Sequence, residues 1–341
     1  MWCLIVPGIL ILAGWGYQTV GALIDRRRHA CPGRWLNLGG RHRIFVSQMG
    51  KEAPAVIFEC GLASSSQSWA YIQTSLAAEA STLSYDRAGM GWSSSPTAPP
   101  TPTRLAGDLR RILERAGVAP PWLLVAHSFG ALVARRAAVD YPQDLAGLVL
   151  IDPLLMGQWR RWNPGRSSLL NRGIRLMQAM APAAACGIIR LVARSLMKHA
   201  GVLPPVFARL VGENGRRMIE RTTGELRKMP PSVWPAVVSH WSSPGFYRGV
   251  IAHLRALPAA MAELEWVRPI ENLPVLVLVP AGNGALSGES LARIAPDAEQ
   301  WVVEDCGHWI HLDRPDVVLD AIRAVLAQNQ HSLHQEVRSC Q

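Results

Sequence analysis

Ser128 is the side chain around which chemistry can be built. It lies in Ala126-His127-Ser128-Phe129-Gly130, after the apolar run Trp122-Leu123-Leu124-Val125 and before a helix-like segment from Ala131 to Val139. A strand, a sharp turn and a helix meeting at a serine make a nucleophile elbow, which lifts the hydroxyl into a cleft. Small residues are needed beside the serine: Gly130 fits, and Ala126 takes the place of the usual first glycine. The backbone N–H groups that open the following helix, Phe129's first, face the point where a carbonyl oxygen would become an oxyanion. A serine hydroxyl is a weak nucleophile at neutral pH, so a base must accept its proton during attack on a carbonyl and return one to the leaving group. The same five residues could also be an ordinary strand-loop-helix turn, and the surrounding chain decides between the two.

That chain has 341 residues, 49% of them hydrophobic, enough to bury the core of one α/β domain with an insertion or of two domains. Its net charge of +10 would permit nucleic-acid binding, but the positive residues are not gathered into a recognisable reading module, so nucleic acid is set aside. The six cysteines, Cys3, Cys31, Cys60, Cys186, Cys306 and Cys340, contain no C-x-x-C pair, which argues against a zinc site and against a dense disulfide framework. No internal repeat is visible.

Short apolar runs alternate with helix-like segments along the chain. Trp35 to Val46 reads as a hairpin turning at Gly39-Gly40. Ala55-Val56-Ile57-Phe58-Glu59 runs into the small-residue loop Cys60-Gly61-Leu62-Ala63-Ser64-Ser65-Ser66, where backbone can approach a ligand closely. Thr82-Leu83-Ser84-Tyr85 precedes Asp86-Arg87-Ala88-Gly89-Met90-Gly91, and a proline-rich loop leads to a helix from about Thr103 to Ala116. After the elbow come Leu148-Val149-Leu150-Ile151-Asp152-Pro153, then Leu273 to Val279, and Gln300 to Val303 before Glu304-Asp305-Cys306-Gly307-His308. Such alternation predicts a parallel sheet with helices on both faces.

The order of these motifs resembles the α/β-hydrolase superfamily, over roughly residues 35 to 155 and 270 to 328. The resemblance implies an α/β-hydrolase fold with a mostly parallel central sheet, a core in two parts (35–153 and 269–328) and a helical cap (154–268) inserted after the sixth strand. It implies that the N–H of Leu62 joins that of Phe129 in the oxyanion hole, and that His308 is the general base. Cys60 stands where relatives often carry histidine, a departure that leaves an N–H donor unaffected. Asp86 and Arg87 are expected to brace their turn, His311 to be structural, and residues 313–328 to form a closing helix before a frayed tail at 329–341.

The acid of such a triad is the open point. In most relatives it follows the seventh strand, but Pro274 to Pro280 is followed here by Ala281-Gly282-Asn283-Gly284-Ala285, and Glu289 comes several residues too late. Asp152, at the end of the sixth strand, matches the place where haloalkane dehalogenases carry their acid; Asn283 and Asp305 are the alternatives. The acid holds the imidazole tautomer and stabilises the imidazolium. The resulting expectation is a Ser128-His308-Asp152 serine hydrolase of the carboxylesterase or lipase kind, acting on a small or lipid-like acyl substrate, with ester, thioester, amide and carbon–carbon cleavage all open. No metal or cofactor is called for. A serine at the elbow speaks against aspartate-nucleophile chemistry. A different class, a ligand receptor or membrane-tethered scaffold on the same fold, is disfavoured because Ser128 and His308 are both present.

Two segments lie outside this core. Leu4 to Ile24 is apolar apart from Gln18 and Thr19 and is stopped by Asp25-Arg26-Arg27-Arg28, so residues 1–30 read as a retained single-pass anchor rather than a cleaved signal peptide. The arginines would lie on the cytoplasmic face, and the catalytic domain with them. Between Pro153 and Arg268, 17 Lys and Arg face 5 Glu and no Asp, an excess of 12 positive charges. Ser168 to Met180 and Ile188 to Met197 read as amphipathic helices broken near Pro182. Either the cap covers the cleft with its arginines in water, or those arginines also rest on anionic lipid headgroups.

Overall fold

A computed structural model of the chain describes residues 2–29, 33–154, 164–198, 213 and 224–339. Eight strands form one sheet: β1 (Arg34–Asn37), β2 (Arg43–Met49), β3 (Ala55–Glu59), β4 (Thr82–Tyr85), β5 (Trp122–His127), β6 (Leu145–Ile151), β7 (Val275–Pro280) and β8 (Glu299–Val303). Their order is β1-β2-β4-β3-β5-β6-β7-β8. Only the hairpin β1–β2 and the β2–β4 pair are antiparallel; every pairing from β4 through β3 to β8 is parallel. β5 and β6 are buried at every position, as strands covered on both faces must be, which is why they read as continuous apolar runs.

Side chains still alternate between the two faces. Leu124, Ala126, Leu148 and Leu150 pack with Ile112 of α3 (Pro102–Ala116) and Leu132 of α4 (Gly130–Asp140), after α1 (Trp2–Arg28) and α2 (Ala70–Leu76) in chain order. Leu123, Val125, Val149 and Ile151 pack on the other face with Ile72 of α2. β3 neighbours β5, yet the connection after β3 returns to β4 on one side while that after β5 goes to β6 on the other. The crevice of an open α/β sheet forms at such a switch point, outside the carboxyl ends of the strands. The loops at Cys60–Ser66 and Ser128 are the two that border it.

The described cap comprises α5 (Pro164–Ala185), α6 (Ile188–Lys198), α7 (Trp234–Trp241) and α8 (Pro244–Glu265); residues 155–163, 199–212 and 214–223 of the expected cap lie outside the described residues. The break expected near Pro182 falls instead at Cys186-Gly187. Pro182 is accommodated inside α5, whereas Gly187 adopts φ 73° and donates its N–H to Ala184 O at 3.0 Å. A Cβ at Gly187 would stand 2.8 Å from the Tyr17 ring and 2.9 Å from Gly14 O, so a glycine is required both by the turn and by the close approach of α1.

That approach joins the first segment to the cap. α1 packs along α5 and α7, with Gln18 and Asp25 buried and Arg190 of α6 reaching both: its Nε donates to Gln18 Oε1 at 2.8 Å and it forms an ion pair with Asp25. Among the described residues no single helix is long and apolar enough to cross a membrane; Ser167–Ala185 and Ile188–Met197 together have the length and composition, bent by 88°. At the other end, α9 (Pro315–Ser339) continues as helix through most of the stretch expected to be a frayed tail, and Val318 and Ile322 seal the sheet face shared with α2.

Candidate active site

β5 delivers Ser128 to the elbow with φ 52°, a left-handed conformation that costs a non-glycine residue free energy and is held by its neighbours. The Ser128 N–H donates to Ile151 O at 3.0 Å, and the Ser128 carbonyl accepts from Leu154 N at 3.2 Å, so the turn is tied to the end of β6 on both sides. Gly130 matters for proximity: a Cβ there would lie 2.7 Å from Cys60 O, and the elbow helix could no longer press against the loop after β3.

Asp152 also has a left-handed φ, 37°, fixed by its N–H donating to Leu278 O at 2.8 Å. Its Oδ2 accepts from His308 Nδ1 at 2.6 Å, and its Oδ1 accepts from Asn283 Nδ2 at 3.3 Å. Of the three acid-position candidates, Asp152 is the one on the imidazole; Asn283 touches the carboxylate rather than the ring, and Asp305 has no hydrogen bond to His308 among the described residues. Glu289 is paired with Arg293 on the surface. With Nδ1 donating to a carboxylate, Nε2 of His308 is the nitrogen left to take a proton.

His127 joins the pieces, a role that its position beside the serine gave no reason to assign. It is buried, its Nε2–H donates to the His308 carbonyl at 2.9 Å, and its ring lies 4.6 Å from that of His308. Burial pushes its pKa well below the ordinary histidine value, so it serves as a neutral strut between the elbow and the His308 loop. His311 is buried as well, stacked at 4.3 Å on Trp69, and burial lowers its pKa to about 3. It packs as a ring and carries no charge, as the structural reading of that residue expects.

The Leu62 and Phe129 N–H groups have no acceptor among the described residues. The orientation of the Leu62 N–H follows from Arg87. The guanidinium is buried, ion-paired to Glu59, bonded to the Cys60 carbonyl and, through Nη2 at 2.5 Å, to the Gly61 carbonyl. In a planar trans peptide the C=O and N–H point in opposite directions. Drawing the Gly61 carbonyl toward Arg87 therefore turns the Leu62 N–H away from it, out of the loop. Arg87 also lies 5.0 Å from the Phe129 ring centroid. Asp86 does brace its turn: Oδ1 accepts from Ser66 N and Oδ2 from Trp92 N, both at 2.8 Å. Arg87 does more than that, because its donors hold the loop that carries Leu62. The motif of an acidic and a basic residue before Gly-x-Gly gave no sign of which carbonyls the guanidinium would reach.

From above, α8 settles on the elbow through His253, whose ring meets that of Phe129 at 5.5 Å. A small cavity of about 30 Å³ remains over Ala63, Ser64 and Ser65, bounded by Trp309 next to His308 and by Val237 and His240 of α7.

The sequence matches the alpha/beta hydrolase family over residues 56–321, and the chain belongs to that family. It is similar to the AB hydrolase superfamily protein of Gibberella zeae, 33% identical over 119 residues that cover 32% of this chain and 37% of that protein. It is also similar to the uncharacterized protein YqjL of Bacillus subtilis, 35% identical over 31% of this chain and 42% of that one. The mouse sn-1-specific diacylglycerol lipase ABHD11 is 23% identical over 65% of this chain and 64% of its own length. In each case the match spans less than two thirds of the relative. Among solved structures, Cfl2 from Burkholderia cenocepacia has a TM-score of 0.63 at 18% identity, covering 86% of this chain and 94% of its own. The epoxide hydrolase CorEH has 0.56 at 19%, covering 87% and 98%. These share the fold.

Proposed function

We propose that the protein is a serine hydrolase that cleaves an ester-type bond of a small or lipid-like acyl substrate. Ser128 attacks the carbonyl, His308 Nε2 takes the seryl proton and returns it to the leaving alcohol, and Asp152 holds the tautomer and stabilises the imidazolium. The N–H groups of Leu62 and Phe129 receive the oxyanion, and water then hydrolyses the acyl-enzyme with His308 as base. The observation that carries this reading is the 2.6 Å hydrogen bond between His308 Nδ1 and Asp152 Oδ2, on loops tied to the elbow through His127 and through Ile151 and Leu154, with Ser128 itself held at φ 52°. A fluorophosphonate probe should label the wild-type chain and fail to label Ser128→Ala. Equal labelling of a folded Ser128→Ala variant would end the proposal.

In the same proposal the chain works at a membrane, on its cytoplasmic face, with α1 and the cap against anionic lipid. Support comes from the large apolar side chains left exposed on α1, among them Leu10, Leu12 and Trp15, and on α5 and α6 at Leu169 and Leu191. Arg26, Arg27 and Arg28 close α1 beside them. The full chain should float with anionic vesicles at low salt and bind less at high salt, since exposed charge is screened within about 8–10 Å. Absence from membranes after high-pH washing and from vesicles at any salt would remove this part.

A further inference from the structure

A cleft of about 340 Å³ opens between α1, α7 and the Gly91-Trp92 turn. Trp15, Ala22 and Leu23 of α1 form its outer wall; Trp15 and Leu23 are more than half exposed, so its mouth is continuous with the apolar stripe of α1. Its inner wall includes Trp92 and His240. Gly91 and His240 also border the 30 Å³ cavity over Ala63–Ser65, so they form the waist between the cleft and that loop, with the Trp92 ring edge to face on His240 at 4.4 Å. His240 is 3% exposed and Trp92 7%, yet neither ring nitrogen of His240 nor Nε1 of Trp92 has a protein partner among the described residues. Leaving a buried donor or acceptor unpaired costs about 1–3 kcal/mol per group. Three such atoms gather at this waist beside the cleft, whereas His311, likewise unpartnered, is stacked on Trp69.

We infer that this cleft binds the alcohol half of an uncharged amphiphilic ester: the scissile carbonyl lies at Ser128, an oxygen function meets the His240–Trp92 waist, and hydrocarbon runs out between α1 and α7 toward the bilayer. The inference rests on the serine hydrolase reading and adds to it the class of substrate and its route. The waist favours an uncharged group. His240 itself is neutral, because burial lowers its pKa to about 4, so it offers one donor and one acceptor, and Trp92 adds a donor. The two carboxylates whose charge reaches His240 are already occupied, Asp86 by the N–H groups of Ser66 and Trp92 and Asp25 by Arg190 and Arg194, and Arg26 lines the cleft but not the cavity beyond the waist.

The test uses the full chain in phosphatidylcholine vesicles with three acetate esters: that of 1-O-hexadecylglycerol, hexadecyl acetate, and 4-nitrophenyl acetate. Ala22→Trp, which fills the cleft, should lower turnover of the two long-chain esters at least tenfold and leave 4-nitrophenyl acetate within about twofold. His240→Phe should lower the glycerol ester about three- to tenfold, the worth of one neutral hydrogen bond, and spare hexadecyl acetate. Equal losses on all three esters, or none on the long-chain pair, would overturn the inference while leaving the hydrolase standing. Binding of the non-hydrolysable 1,2-dihexadecyl glycerol ether to Ser128→Ala, read by displacement of a fluorescent fatty alcohol, separates the two claims. Ala22→Trp should weaken that binding about tenfold whatever becomes of the chemistry, and unchanged binding would sink the lipid route.

Discussion

Two buried arginine–carboxylate pairs do different work in this molecule. Arg87–Glu59 lies under the Cys60–Ser66 loop and Arg190–Asp25 lies between the cap and α1, and all four side chains are at most 5% exposed. Each pair carries the desolvation cost of two charges, so neither is evidence of stability in itself. What separates them is where the remaining donors go. Arg87 spends them on backbone carbonyls of Cys60 and Gly61 and thereby aims an N–H; Arg190 and its neighbour Arg194 reach side chains of another helix and thereby seat it. A buried guanidinium is thus a positioning device in one region and a fastener in the other.

Variants separate the two regions, and the largest effect is expected at Asp152. Asp152→Asn should fold and lose about 10⁴ in kcat, because an asparagine cannot hold the productive tautomer. Retention within tenfold in a folded protein would move the acid elsewhere. Arg87→Lys keeps the charge beside Glu59 but cannot grip both carbonyls. With the Leu62 N–H released, kcat should fall on the order of 10², near the effect of losing an oxyanion donor, with KM little changed. A drop in melting temperature without a drop in kcat would make Arg87 merely structural.

On the other side, Arg190→Met leaves Asp25 buried without its main partner, which costs about 3–5 kcal/mol locally. The expected result is protease cleavage in or just after α1, while turnover of a small water-soluble ester stays within about twofold. A large loss on that ester would erase the distinction between the two pairs. Restoring an uncharged interface with Asp25→Leu beside Arg190→Met should recover protection.

Acid pH should act on both regions together. His127 and His311 beneath the site and His240 and His253 in the cap all have pKa values lowered mainly by burial, to about 4 for His240 and about 3 for His253 and His311. In the unfolded chain they titrate near about 6.5, so between that pH and their folded values the unfolded state binds more protons. Their stabilising contribution is complete above about 6.5 and is lost as pH falls. Denaturant titrations should be flat from pH 8 to 7 and show declining stability from 6.5 to 4.5; a rise over that interval would contradict the buried neutral rings. The smallest effect expected is that of Asn283→Ala, under tenfold in kcat, because its amide touches the carboxylate of Asp152 and not the imidazole.

Much of the core could be read from the chain because its signals are local. A parallel strand covered on both faces must be apolar throughout, which marked β3, β5, β6 and β7, and a serine between a strand and small residues marked the elbow. His308 and Asp152 were legible only as loop residues at strand ends. That they meet depends on β6, β7 and β8 lying side by side, a long-range pairing with no local signature. The seventh-strand loop's lack of a carboxylate pointed toward Asp152; the 2.6 Å contact is a product of register.

Composition alone determined that α1 is apolar and that the cap is basic, since hydropathy and charge are sums over residue types. Tertiary structure alone decided what those properties face. Gln18, inside the apolar run, and Asp25, the residue that stops it, become the seat of Arg190, and the helix break falls at Gly187, where α1 passes, rather than at Pro182. A helix interior can absorb a proline, but no residue with a Cβ can occupy the space that another helix backbone already fills.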